Sequence, residues 1–267
     1  MLIVAERINA SRRAIRAALE KQDAAAIVHE VRTQTAAGAN YIDLNGGTFP
    51  GREAELLCWL VDTAQGATEL PLCLDSPDPD ALAAALARVN DKAARPMINS
   101  INLEPGRFAR VLPLAREHRA KLIALAQGEG VPAASAAEKL DLASRLVEQL
   151  TGAGMELDDI YVDPLVFPVG TDSASGLATA SAMREIMARF PGVHTICGLT
   201  NVSHGLPARK LVNRTFLAGA IANGMDAAII DPTDAQLMAT LYAAEAVFGR
   251  DEYCVNFIEA FQAGKVA

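Results

Sequence analysis

A chain of 267 residues, 51% hydrophobic and 21% charged, can bury one sizeable core, and its length suits a single α/β barrel of roughly 250 residues. Its formal net charge of −8 argues against nucleic acid as a partner, because affinity for a phosphate backbone rests on lysine and arginine. No apolar run approaches the roughly 20 residues that cross a bilayer, and Met1-Leu2-Ile3-Val4 leads straight into Glu6 and Arg7; neither a membrane span nor a secretory segment is expected, and the expected location is the cytoplasm.

Short apolar runs alternate with Ala/Leu-rich amphipathic segments along the chain. The first strand is expected over 2–8, with Glu6 and Asn9 at its end, and the helix after it over 13–37, closed by Gly38. A strand over 41–45 carries Asp43 and Asn45 and precedes a helix over 52–67. The third unit joins 71–76, ending near Asp75, to a helix over 78–89, and the fourth joins 96–101, with Asn99, to 107–118. The fifth strand, 121–127, reaches Gln127 and is followed by a helix over 136–152, with Gly152 as its cap. Strand 160–165 carries Asp163 and leads to helix 178–190, strand 194–201 ends on Asn201 and leads to helix 210–223 and Gly224, and strand 225–231 ends on Asp231 before helix 234–248. Eight β-then-α units without a linker predict one domain, 1–267, folded as a (β/α)8 TIM barrel; a doubly wound sheet shares the alternation but does not call for eight units.

Each expected strand ends on a side chain that can hydrogen-bond. One such Asp or Asn starts a turn or caps a helix. Repetition at every C-terminal strand end, above an apolar interior, predicts a polar ligand basin on the face where barrel active sites lie.

The chemistry of that basin is constrained by what is missing. Cys58, Cys73, Cys197 and Cys254 form no CxxC pair, and His29, His118, His194 and His204 have no metal-ligand spacing, so free thiols and no dedicated metal site are expected. Asn45-Gly46-Gly47 lacks a phosphate-loop pattern and reads as a tight turn, no GxSxG elbow is present, and Lys121 and Lys210 lack the strand-end position of a Schiff-base lysine. Carboxylates and carboxamides remain. A carboxylate accepts two parallel N–H bonds, as from an aminopyrimidinone N–H and its exocyclic amine, and a carboxamide adds one donor and one acceptor. Asp75, Asn99 and Asp163 are the expected partners of such a guanidine-like edge.

Seven stretches carry a resemblance: Glu6-Arg7-Ile8-Asn9, Asp43-Leu44-Asn45, Leu72-Cys73-Leu74-Asp75-Ser76, Met97-Ile98-Asn99-Ser100, Tyr161-Val162-Asp163-Pro164-Leu165, Gly198-Leu199-Thr200-Asn201-Val202-Ser203 and Asn213-Arg214-Thr215-Phe216-Leu217. With Asp226-Ala227-Ala228-Ile229 they run in order along essentially the whole chain, which resembles the methyltetrahydrofolate:corrinoid/iron-sulfur protein methyltransferases of the wider pterin-binding barrel family. The resemblance implies that Asp75, Asn99 and Asp163 hold the pterin, that Asn201 contacts N5, and that Gly198, His204 and Arg209 complete the folate site, with Arg209 suited to the glutamate carboxylates. At His204 the family pattern has glutamine, and at Thr200 serine. It further implies tetrahydrofolate or 5-methyltetrahydrofolate as substrate, a corrinoid (cobalamin) as the other methyl carrier, a homodimer, and Asn201 and Asp163 as the catalytic pair. The sequence has no DxHxxG signature of a corrinoid bound in cis, so the corrinoid is expected on a separate partner protein. Two other readings stay open. A dihydropteroate synthase-like enzyme calls for a lysine in the strand-seven loop and a C-terminal Arg-x-His, where this chain has neither; a non-catalytic pterin-binding subunit has no use for an N5 contact at Asn201.

Overall fold

Eight parallel strands alternate with helices in the computed structural model, which describes residues 1–47, 49–90, 92–130 and 132–266. In chain order they are β1 (Leu2–Asn9), α1 (Arg13–Lys21), α2 (Ala24–Ala36), β2 (Tyr41–Asn45), α3 (Glu53–Gln65), β3 (Leu72–Asp75), α4 (Pro79–Leu86), β4 (Met97–Ile101), α5 (Pro105–Glu117), β5 (Lys121–Leu125), α6 (Ala136–Gly152), β6 (Ile160–Asp163), α7 (Ser175–Arg189), β7 (His194–Thr195), α8 (Arg209–Ala222), β8 (Ala227–Ile230), α9 (Ala235–Val247) and α10 (Val255–Gln262). Each strand from β1 to β6 pairs with the next, β1 also pairs with β8, and the sheet runs β7-β6-β5-β4-β3-β2-β1-β8. The seam between its two ends is closed by a single bridge, Gly198 to Ile229, where the Ile229 N–H donates to the Cys197 carbonyl at 3.0 Å. The expected (β/α)8 barrel is the fold observed.

Side chains alternate across each strand, and both faces are covered, so the strands are apolar nearly throughout. Outward residues such as Ile42, Leu44, Leu74, Ile98, Leu122 and Val162 are fully buried against the helices. Burying one such side chain contributes roughly 1.5–3 kcal/mol. Inward residues Val4, Tyr41, Cys73, Met97, Ile123, Tyr161, Ile196, Ala227 and Ile229 pack into a separate cluster that plugs the barrel.

Four local departures from these expectations stand out. The helix expected over 13–37 is two helices, because Gln22 turns left-handed at φ 48 and the Asp23 carboxylate accepts from the Ala26 N–H at 3.1 Å, starting α2 afresh. Gly38 and Gly224 make the expected left-handed turns, but Gly152 is the last residue of α6 and Gly154, at φ +88, makes that turn instead. The strand expected over 194–201 is cut to His194–Thr195, and a 3-10 turn, Leu199–Ser203, takes up its end. Helix α10, beyond the last expected element, packs on α9.

Candidate active site at the C-terminal mouth of the barrel

Strand register builds the site. Asn9, Asn45, Asp75 and Asn99 are consecutive partners across β1 to β4 and stand in one row. Asp43, Asp75, Asn99 and Asp163 each follow a residue of the apolar plug (Tyr41, Cys73, Met97, Tyr161) by two positions, so they share its inward face and form the next layer up. The plug is the floor and this polar layer is the basin.

Burial sets its electrostatics. The Asp43 carboxyl, 2% exposed, is pushed well above the usual range by burial and the nearby Asp75 charge, and its Oδ1 has no hydrogen-bond partner. Asp75 accepts from Asn45 Nδ2 at 2.6 Å; burial raises its pKa, and Asn45 and the Arg107 guanidinium oppose the rise. Arg107 itself is clamped to the backbone carbonyls of Ser100, Pro77 and Ser76 at 2.7, 2.6 and 2.9 Å. Glu6 is pushed up to about 7 by burial and the Asp231 charge. Asp163 is raised to about 6 by burial, against the Leu165 and Gly198 backbone N–H groups and the Lys139 charge. A basin of crowded, under-solvated carboxyls is suited to accept N–H groups from a ligand.

The seventh unit stands beside this basin. A Cβ added at Gly198 would stand 3.2 Å from Asn201 Nδ2, so glycine is what lets the Asn201 amide lie against the strand end. Since the Gly198 N–H also serves Asp163, the 3-10 turn and the β6 end are joined. Asn201 is exposed to solvent and unencumbered by the ladder. Arg209 donates to Ser203 Oγ at 3.1 Å and to the Thr200 carbonyl at 2.9 Å, pinning the turn, while its charge acts on Glu6. His204 caps the turn and is exposed at the rim.

Asp231, counted among the basin residues from its strand-end position, is tied instead to Arg7 at 3.0 Å and to the Thr233 hydroxyl at 2.6 Å, with Arg12 at 3.6 Å. Sequence reasoning passed over Arg107 and Lys139. Lys139 had a legible signal, because it stands four residues before Ala143 on the buried stripe that continues through Leu146, Val147 and Leu150. Among the described residues no group of three or more His, Cys, Asp or Glu side chains is disposed to hold a metal ion, and no helix is long and apolar enough to cross a membrane. A cavity of about 880 Å³ opens at the other end of the barrel, beside the connections that precede β3 and β4, away from this polar layer.

Residues 5–231, which span every strand end just described, match the family model for pterin binding enzymes. The chain belongs to the pterin-binding enzyme family. Within that family it is 34% identical to the methylcorrinoid:tetrahydrofolate methyltransferase of Eubacterium limosum over 269 residues, covering 100% of this chain and 98% of that protein. It is also 34% identical to the methionine synthase of Mycobacterium tuberculosis over 245 residues, 86% of this chain but only 20% of that larger protein. Among solved structures, dihydropteroate synthase from Xanthomonas albilineans with 4-aminobenzoic acid superposes with a TM-score of 0.67 at 19% identity, covering 94% of this chain and 92% of that one. The Yersinia pestis dihydropteroate synthase gives 0.67 at 14% identity, covering 92% of each chain. At such identities these two show the barrel that the family shares.

Proposed function

We propose that the chain, as one unit over 1–267, is a methyltransferase that moves a methyl group between N5 of tetrahydrofolate and the cobalt of a corrinoid carried by a separate protein. The observation that carries this reading is the Asn201 amide standing over Gly198 at the edge of a carboxyl-lined basin, a donor beside a cradle for N–H groups. The likeness to a methylcorrinoid:tetrahydrofolate methyltransferase over the whole chain supports it.

Asp75, Asn99 and Asp163 hold the aminopyrimidinone edge of the pterin, the two carboxylates accepting paired N–H bonds. Departure of the methyl group leaves N5 electron-rich, and the Asn201 amide stabilises that charge as it develops. An amide is not an acid, so the proton on N5 comes from solvent, passed through water held by Asp163. The corrinoid supplies the cobalt centre that accepts or donates the methyl group. In the opposite direction the same residues serve, by microscopic reversibility. Gly198 gives the amide its room, Arg209 fixes the turn, and His204 lies where the rest of the folate leaves the mouth. Homodimeric assembly and a cytoplasmic location belong to the same reading.

Single-turnover mixing of the protein and 5-methyltetrahydrofolate with cob(I)alamin, followed by the cobalt absorbance, tests this, alongside calorimetric titration with tetrahydrofolate. Binding together with transfer is the expected result. Folate binding with no transfer in either direction would leave a non-catalytic pterin-binding subunit, and condensation of a pterin pyrophosphate with 4-aminobenzoate would make it a dihydropteroate synthase.

A further inference from the structure

Helix α6 begins with a capping box: Ser135 Oγ accepts from the Glu138 N–H at 3.2 Å, and the Glu138 carboxylate accepts from the Ser135 N–H at 2.9 Å. That start fixes the phase of the helix and puts Lys139 on its buried stripe. The side chain is 1% exposed, a rare condition for a lysine. Its ammonium donates to the Pro164 carbonyl at 2.9 Å and the Leu165 carbonyl at 2.5 Å, and lies 5.0 Å from the centre of the Phe167 ring.

Everything that Lys139 grips belongs to the segment just after Asp163. Leu165 is left-handed at φ 57, an uncommon conformation for a branched side chain, and three bonds hold it there. Lys139 and the Thr179 hydroxyl, at 3.1 Å, both donate to its carbonyl, and its N–H donates to Asp163 Oδ1 at 2.7 Å. A leucine or methionine at 139 would fill the space without the cost of taking an ammonium out of water. Thr179 shows that a neutral donor suffices for the carbonyl. The positive charge therefore calls for a separate reason, and buried Asp163 is one.

We propose that Lys139 is a positioning residue for the reaction, fixing the turn from Asp163 to Leu165 and holding the Asp163 side chain in the ionised form that accepts pterin N–H groups. This rests on the reading that Asp163 binds the pterin. The charged and titratable groups around the pair are few: Glu138 on the same helix and Asp172 before α7 act on Lys139, and Cys197 beyond β7 faces Asp163. Burial raises Asp163; the Leu165 and Gly198 backbone N–H groups oppose the rise first, and the Lys139 charge adds to them. Without that charge the carboxyl holds its proton to higher pH and presents a donor where the ligand also has donors.

The experiment measures 5-methyltetrahydrofolate binding by calorimetry from pH 5 to 9. Lys139→Gln keeps N–H donors for the two carbonyls and removes the charge. Its acid-side loss of affinity should move up by about one pH unit, giving about fivefold weaker binding near pH 6, about twofold weaker binding near pH 7 and the parental affinity at pH 9. Lys139→Arg restores the parental position of the loss, and in an Asp163→Asn background Lys139→Gln shifts nothing. Thr179→Val, which removes a neutral donor from the same carbonyl, leaves the position unchanged, and this holds whether or not a neutral residue at 139 folds. An equal loss at every pH in Lys139→Gln, a parental profile in it, or a shift in Thr179→Val each overturns the proposal. A parent protein that binds no folate fails the proposed function instead.

Discussion

At the scale of single residues, the proposed function separates groups that would hold a ligand from the one that would meet its reacting atom. Asn201 lies outside the ladder, so truncating it removes little from the barrel. Asn201→Ala should lower the methyl-transfer kcat by roughly 10²-fold, as loss of one charge-stabilising donor does, with folate affinity falling less. Asp75→Ala should do the reverse, weakening folate by about 1.5–3 kcal/mol in a calorimetric titration. An Asn201→Ala protein that melts early yet transfers at the parental rate would reduce Asn201 to a turn-former. Glu6 gives a prediction with a definite sign. Its folded pKa of about 7 stands above the ordinary 4.5, so its contribution to stability is full below 4.5 and is lost as pH rises through 7. Glu6→Gln should then raise Tm at pH 8 to 9, by the equivalent of about 2–3 kcal/mol, with the gain fading toward pH 4.5. The positions of Asp75, Asn99 and Asp163 were legible in the sequence because they sit at strand ends. The raised pKa of Asp43 was not, since it depends on neighbours brought in from other strands, and the stripe of α6 that marks Lys139 as buried does not show which carbonyls it grips.

At the scale of elements, β7 is where the barrel is thinnest. Two residues of strand and one bridge close the ladder, and side chains do part of the work at the N-terminal end. Asp226 accepts from the Thr195 N–H at 2.9 Å and pairs with His194 Nδ1 at 2.6 Å, while His194 Nε2 meets Asp158 at 3.1 Å and its ring stacks on Tyr161. Bonding to Asp226 raises the His194 pKa. The stabilisation is thus fully present below the unfolded value near 6.5 and is lost as pH rises through the raised one. His194→Ala should lower Tm more at pH 6 than at pH 9. The difference should be about 2–4 °C, the equivalent of about 1 kcal/mol for a part-exposed pair; an identical drop at both pH values would leave only packing against Tyr161. The shortening of β7 is masked because 194–201 fits a single strand; Gly198, a residue type that marks breaks within strands, is the sign that the chain leaves the ladder there for a 3-10 turn. The break between α1 and α2 was hidden by helix-forming residues on both sides of Asp23. Helix α10 falls after the eighth unit, where the β-then-α rhythm no longer points to anything.

At the scale of the whole molecule, the eightfold rhythm made the fold legible, because each β-then-α unit has its own period of two or 3.6 and only closure accounts for eight of them. Assembly was not written in that rhythm. The proposed homodimer should scatter light as twice the 28.2 kDa of one chain. The purified protein should also be colourless, since a stoichiometric cobalamin absorbance would place the corrinoid on this chain and not on a partner. Across β2, β3, β4 and β6 the apolar plug and the polar layer occupy the same strands, two positions apart. Natural selection can therefore act on the two rings separately: substitutions in the upper ring exchange one ligand for another, while the lower ring continues to pass on the same shape. A lineage built this way diversifies in chemistry long before it diverges in form.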